Sequence, residues 1–294
     1  MTDRLGISIA RGDAGLQVAI TPPAPSPVAA MMLGKPAEEV AALMPRLFNL
    51  CGVAQGLAVR LALDLPVEGS DPRREILRDH LAKLCLRWPG LMGLTAQPLP
   101  ADWPRGGPEL RAWIWDSDRP ARLEPWLESG KGISPVLRAI AQRFAPGEAV
   151  ADLPAWDRPM CLSAQENSPA MRVCDDPLMA QAEAIFGRGP LWRALGRVID
   201  LDRLCAAPPL ARRHGPGLAS VAAARGTYTL ALTLSEGRVS ALQRITPTDH
   251  LVASGGMLQL SLESLPAHKV SLAGLVVDIL DPCVPVEFRE VADA

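Results

Sequence analysis

The chain lacks the paired cysteines from which metal sites and disulfide frameworks are usually built. Its six cysteines, at 51, 85, 161, 174, 205 and 283, never form a CxxC unit. They are too sparse for a disulfide scaffold and point to a reducing compartment, where most of them read as small buried hydrophobes. The four histidines fall in no HxxxH or HExxH spacing, which excludes a helical zinc hydrolase and leaves each as a surface or capped residue. Aromatic residues are only 4% of the chain, yet seven of them are tryptophan, all between Trp88 and Trp192. These read as core and groove fillers, because their surroundings are not basic enough for nucleic-acid stacking. A formal charge of −2 removes the electrostatic case for nucleic acid or an anionic membrane. No apolar run reaches the roughly 18 residues that span a bilayer. The start, Met1-Thr2-Asp3-Arg4-Leu5, lacks the layout of a secretory signal, so a cytoplasmic location is expected. Gly187-Arg188-Gly189-Pro190 is too short and proline-bound for a phosphate loop, and no Ser/His/Asp context is recognisable.

What is present is an ordinary globular composition over 294 residues, 48% hydrophobic and 21% charged, enough for a full core. Two alternating runs around Gly12-Asp13-Ala14-Gly15 predict a hairpin, followed by a proline-rich connector from Thr21 to Pro27. Helical periodicity from Pro36 to Leu65, interrupted at Pro45 and Gly52, predicts two helices with Cys51 at or near the start of the second. Asp71 to Trp88 predicts a strong amphipathic helix capped by Asp71 and ended by Pro89-Gly90. Weaker helices are expected over 108–129 and 134–144, then a loop over 147–177 and a helix over 177–204 broken at 187–190. Late in the chain, Thr227 to Leu234 turns at Ser235-Glu236-Gly237 into Arg238 to Ile245, a second hairpin. A helix over 268–280 then delivers Asp281-Pro282-Cys283. The fold class expected is α+β, mainly helical, with two hairpins.

Cys51 stands in Pro45-Arg46-Leu47-Phe48-Asn49-Leu50-Cys51-Gly52-Val53-Ala54-Gln55, and Cys283 stands in Asp281-Pro282-Cys283-Val284-Pro285-Val286. Taken alone, two cysteines so far apart are most simply two buried thiols. A third stretch has Ala224-Arg225-Gly226, the late hairpin, and Thr246-Pro247-Thr248, with Arg225 and Thr248 23 positions apart. In this order the three stretches resemble the cofactor motifs of [NiFe]-hydrogenase large subunits, with half the thiolates removed. Those motifs are R-[IV]-C-G-x-C-P-x-x-H, then A-P-R-G with [VA]-P-[ST] across a hairpin, then D-P-C-x-x-C-x-x-H. Arg46 matches the motif arginine, and Cys51 the second cysteine. Phe48 stands at the first cysteine and Gln55 at the histidine. At the end Cys283 matches, while Val286 and Arg289 replace the second cysteine and the histidine. Met44 stands where the family has an acidic residue.

The pattern is similar to the HupK-type hydrogenase expression/formation proteins, degenerate paralogues of the large subunit. The resemblance implies one reduced large-subunit-like domain over 1–294: hairpin and connector 1–34, first cysteine motif 35–90, divergent helical middle 91–219, and hairpin with C-terminal cysteine motif 220–294. It implies a non-catalytic scaffold for the Fe(CN)2(CO) unit. Cys51 and Cys283 would be its iron ligands, and Arg225 and Thr248 would donate hydrogen bonds to the cyanides. Cys51 matches a nickel–iron bridging position and Cys283 a nickel-terminal one, so with two thiolates missing no nickel is expected. The implied partners are small chaperone and iron-assembly proteins of hydrogenase maturation and the large-subunit precursor, with no nucleic acid and no membrane. Two other functions stay open: a metal-free protein that docks maturation factors by mimicking the large subunit, and a minimal hydrogenase, disfavoured by the missing thiolates.

Overall fold

The computed structural model describes residues 4–12, 15–116 and 118–290. Its strands are β1 (Leu5–Gly12), β2 (Gly15–Thr21), β3 (Ala211–Gly215), β4 (Leu218–Ala223), β5 (Gly226–Ser235), β6 (Arg238–Ile245) and β7 (Val286–Glu290). Both predicted hairpins form: β1 pairs antiparallel with β2, and β5 with β6. The sequence reading missed three strands. β3 and β4 extend the late hairpin into a sheet of order β3-β4-β5-β6, and β7 adds to β1 in parallel. β7 was illegible because Val286-Glu287-Phe288-Arg289-Glu290 is short and its partner lies at the other end of the chain. That pairing, with Leu5 N–H donating to Pro285 O at 2.9 Å, tethers the Cys283 segment beside the first strand.

The helix Gly52–Leu63 begins one residue after Cys51, as its periodicity predicts. Its inner face carries Ala54, Ala58 and Ala62, one turn apart, with Leu57 and Val59. These pack on Ala219, Val221, Tyr228, Leu230 and Leu232 of the late sheet. Small residues on the helix let it lie close to the sheet, and that contact sets Cys51 near the base of the late hairpin. A second and larger core surrounds the helix Pro190–Ala206, which packs against the helices Arg73–Leu81, Pro108–Trp115, Ser134–Arg143, Pro177–Phe186 and Ala273–Leu280. Trp88, Trp115, Trp126 and Trp192 are buried in that core, as fillers.

Two helices differ from their predicted bounds. The segment expected to end at Pro89-Gly90 runs on to Met92 and stops at Gly93, whose φ is +73°. A π-helical turn over Ala82–Arg87 resets the ladder first, so Pro89 falls in the opening turn of the next segment, where its missing N–H costs nothing. The stretch 108–129 breaks into Pro108–Trp115 and Leu123–Ser129, turning at Asp116 with φ +62°. Among the described residues no helix is long and apolar enough to cross a membrane.

Candidate functional site

Cys51 is the N-cap residue of the helix Gly52–Leu63. Gly52 is required beside it, since a Cβ there would lie 2.4 Å from the Pro45 carbonyl oxygen. Two of the free N–H groups of that helix start are taken by Glu75, whose carboxylate accepts from Val53 N at 3.0 Å and Ala54 N at 2.8 Å. Burial pushes the Glu75 carboxyl above its ordinary pKa despite those two bonds. Arg225 and Thr248 approach each other for a different reason. They flank the β5–β6 hairpin, and a hairpin returns its two ends to one place. Gly226, with φ +147°, lets the base pass so near Asn167 that a Cβ would lie 2.1 Å from its carbonyl oxygen. Asn167 clamps that base by accepting from Thr227 N at 2.7 Å and donating to Thr227 O at 2.9 Å. Thr246 and Asp249 close a capping box on the helix Pro247–Leu251, which orients Thr248.

These elements bring Arg225, Thr248 and Cys283 around the turn at Asp281. The Thr248 hydroxyl donates to Cys283 Sγ at 2.9 Å and accepts from Cys283 N at 3.0 Å. Arg225 donates from Nε to the Asp281 carbonyl at 3.1 Å and from Nη2 to Asp281 Oδ1 at 3.2 Å. Cys51 packs against the core cluster that includes Ala223 and Tyr228, which flank the Arg225 turn at the base of the hairpin. Burial is the main cause that pushes the Cys51 thiol up to about 11. A hydrogen bond from Gln55 lowers it, the charges of Cys283 and Glu75 raise it, and Arg225 lowers it. Burial alone would lower the Arg225 pKa, but Asp281, Asp79 and Cys283 outweigh it and hold the guanidinium above its usual value. Both Cys51 and Cys283 are half-buried. Arg46, the motif arginine, is exposed, and Met44 is wholly buried among apolar side chains.

Behind the sulfurs lies a buried ion network that sequence reasoning did not anticipate. Asp281 is 5% exposed and receives Arg197 Nη2 at 2.8 Å and Lys83 Nζ at 2.9 Å as well as Arg225. Asp79 meets Arg225 at 3.3 Å and Arg197 at 3.5 Å. Lys83 also reaches Asp278 at 3.1 Å. Asp281 has φ +57° and ψ +62° at the helix end, a conformation that aspartate tolerates better than most residues. The turn presents its carbonyl to Arg225 and sends Cys283 toward Thr248. Desolvation would raise the Asp281 pKa, but Arg197, Arg225 and Lys83 hold it below the usual carboxylate range.

His80 was expected at the surface or a cap; it is fully buried. Its Nε2 lies 2.8 Å from Asp200, and its Nδ1 lies 3.1 Å from Arg197 Nη1. Burial lowers its pKa, so a neutral ring fits, donating to Asp200 and accepting from Arg197. His250 is also buried, with Nδ1 on Ser163 O at 3.0 Å. Neither is placed as a ligand, and among the described residues no cluster of three or more His, Cys, Asp or Glu side chains suits a metal ion. A cavity of about 10 Å³, room for one water, is lined by Asn167, Arg197, Arg225, Thr248 and Asp281. The sulfurs stand outside it.

No family model matches the chain. Relatives do: the chain is 60% identical, over all of both chains, to the hydrogenase expression/formation protein HupK of Rhodobacter capsulatus. The chain belongs to the HupK family of hydrogenase expression/formation proteins. It is also 26% identical to HupK of Azotobacter vinelandii, over 89% of this chain and 90% of that one. HupV of Azotobacter chroococcum is 27% identical over 72% of this chain and 58% of its own length. Among solved structures, a [NiFeSe] hydrogenase from Desulfovibrio vulgaris Hildenborough matches with TM-score 0.54 at 11% identity, covering 92% of this chain and 94% of that one. An NAD+-reducing [NiFe]-hydrogenase matches with TM-score 0.52 at 14% identity, covering 94% of both chains. The fold is therefore that of the [NiFe]-hydrogenase large subunit at reduced size, and the α+β expectation holds.

Proposed function

We propose that the protein is a non-catalytic scaffold that takes up the Fe(CN)2(CO) unit and passes it on during assembly of the [NiFe]-hydrogenase large subunit. The observation that supports this reading is the contact of Thr248 with Cys283 beside the Arg225–Asp281 pair, at the hairpin base on whose sheet the Cys51 helix packs. Two thiolates suit an iron that already bears three strong diatomic ligands, and such an iron needs few protein donors. The nearby guanidinium and hydroxyl suit the anionic cyanides. Arg225 Nη1 makes no hydrogen bond among the described residues, which leaves its donors for that purpose. The Thr248 hydroxyl now points at Cys283 and would turn to a cyanide once that sulfur bonds iron. Val53 and Val284, both partly buried, would face the carbonyl side. Phe48 and Val286 supply no thiolate for nickel, and buried Met44 supplies no proton relay, so hydrogen oxidation is not its task.

In this reading the protein works in the cytoplasm with small chaperone and iron-assembly factors and with the large-subunit precursor. The second reading is a metal-free docking protein. It is favoured by one feature: Thr248 and most of Arg225 are already satisfied within the chain. Metal analysis of protein purified anaerobically from a maturation-competent cell separates the two. The scaffold reading expects iron without nickel, lost in Cys51→Ala and in Cys283→Ala. Absence of iron with maturation factors still bound supports docking, and nickel with hydrogen uptake overturns both.

A further inference from the structure

Gln55 lies one helical turn after Cys51, so its side chain reaches back over the cysteine. It is 1% exposed, and its Nε2 donates to Cys51 Sγ at 3.1 Å. Among the described residues it is the one hydrogen-bond donor to that sulfur. Its Oε1 is buried and has no hydrogen-bond partner among the described residues. Leaving an amide acceptor unmet in a dry site is unfavourable, and a leucine of similar size would avoid it. The neighbours on the inner helix face are apolar: Ala54, Leu57 and Ala58. An amide at this position is therefore not explained by packing.

We infer that Gln55 is a positioning residue for the Cys51 sulfur, holding it for iron and moderating the electron density it donates. The inference deepens the cargo-binding reading and rests on it for the role of iron. An N–H directed at a metal-bound thiolate stabilises the anion, restricts its orientation and withdraws charge from the metal. Cys51 is half-buried and has no other hydrogen-bond donor to its sulfur among the described residues, so that task falls to Gln55. Without iron, Cys283 has its own donor in Thr248; once iron is bound and Thr248 turns to a cyanide, Gln55 remains as the side-chain donor to a sulfur of the pair. Because Gln55 is uncharged, it does this without disturbing the balance of Arg225, Asp79 and Asp281 alongside.

The test uses the full chain with Gln55→Leu, which removes the donor at constant size, and Gln55→His, which offers a ring N–H from the same position. Two readouts are taken on anaerobically purified protein. The first is the alkylation rate of Cys51 by iodoacetamide, resolved by site in a mass spectrometer, with exposed Cys174 as internal reference. Gln55→Leu should slow Cys51 roughly tenfold or more against Cys174, the scale of losing a hydrogen bond to a charged group. The second is the infrared spectrum of the loaded protein. In Gln55→Leu the carbonyl and cyanide stretches should move to lower wavenumber as the sulfur returns density to iron, and retention of iron should fall about 10- to 100-fold. Gln55→His should restore both.

An unchanged Cys51 rate together with unchanged stretches in a folded Gln55→Leu protein overturns the inference and leaves the cargo reading standing. A slowed Cys51 rate in a protein that carries no diatomic bands, even in the parent, upholds the Gln55–Cys51 coupling while the cargo reading falls.

Discussion

Replacing Asp281 by asparagine removes one negative charge from the centre of the buried network while keeping the side chain's shape. Arg197, Lys83 and Arg225 all lie within about 3 Å of its carboxylate oxygens. At an effective dielectric constant near 20, each such contact is worth about 5 kcal/mol of attraction before desolvation is subtracted. Most of that is offset by the cost of burying the charges, so the intact network contributes far less than the sum. Removing one partner is different, because it leaves cations buried without their counter-charge, at about 3–5 kcal/mol. Asp79 still faces Arg225 and Arg197, and Asp278 still faces Lys83, which places the expected loss near the lower end, at about 3 kcal/mol. For a chain of this size each kcal/mol moves the midpoint by roughly 2–4 °C, so Asp281→Asn should melt about 6–12 °C lower. Thermal unfolding followed by circular dichroism at neutral pH measures this directly. A midpoint within about 2 °C of the parent would refute the reasoning, since it would mean the three cations do not depend on Asp281.

Acid should destabilise the fold in two stages, because His80, Asp200 and Asp281 all have pKa values lowered by folding. A group with a depressed folded pKa contributes stability above its unfolded value and loses it as pH falls. The His80 contribution should fade below about pH 6.5 and the two carboxylates below about pH 4, with Glu75 opposing the trend. Tryptophan fluorescence in urea at a series of pH values would show it, and a stability flat from pH 7 to 4 would contradict it. Gly52→Ala should cost at least about 1–3 kcal/mol, since the new methyl meets the Pro45 carbonyl, and it should displace Cys51. Equal denaturant midpoints for Gly52→Ala and the parent would show that the close approach is not needed. Alkylation of the folded chain should reach exposed Cys174 first and Cys85 last, because burial pushes the Cys85 thiol up to about 12. Peptide mapping against time gives the order, and early labelling of Cys85 would contradict it.

Local rules made much of this architecture legible. Pro45 and Gly52 marked the break that puts Cys51 at a helix start, and Ser235-Glu236-Gly237 marked the turn that joins Arg225 to Thr248. The prolines at 177 and 190 lie in the first turns of their helices. The features that stayed hidden are those whose cause is tertiary. Glu75 caps a helix 21 residues away in the chain, and no local spacing announces that. Lys83, Asp79 and Arg197 look like solvated helix charges until the helices 73–92 and 190–206 pack together around Asp281. Gln55 was visible only as a substituted histidine, although its place one turn after Cys51 already put an amide beside the sulfur. β7 needed a partner from the opposite end of the chain, and such pairings carry little local signature.

The central claim is that Cys51 and Cys283 share one iron bearing cyanide and carbon monoxide. Infrared spectroscopy of the anaerobically purified chain, beside Cys51→Ala and Cys283→Ala, tests it most directly. The account predicts cyanide and carbonyl stretches in the parent and their loss in each variant. A parent without those bands, still bound to maturation factors, or bands that survive either substitution, would contradict it.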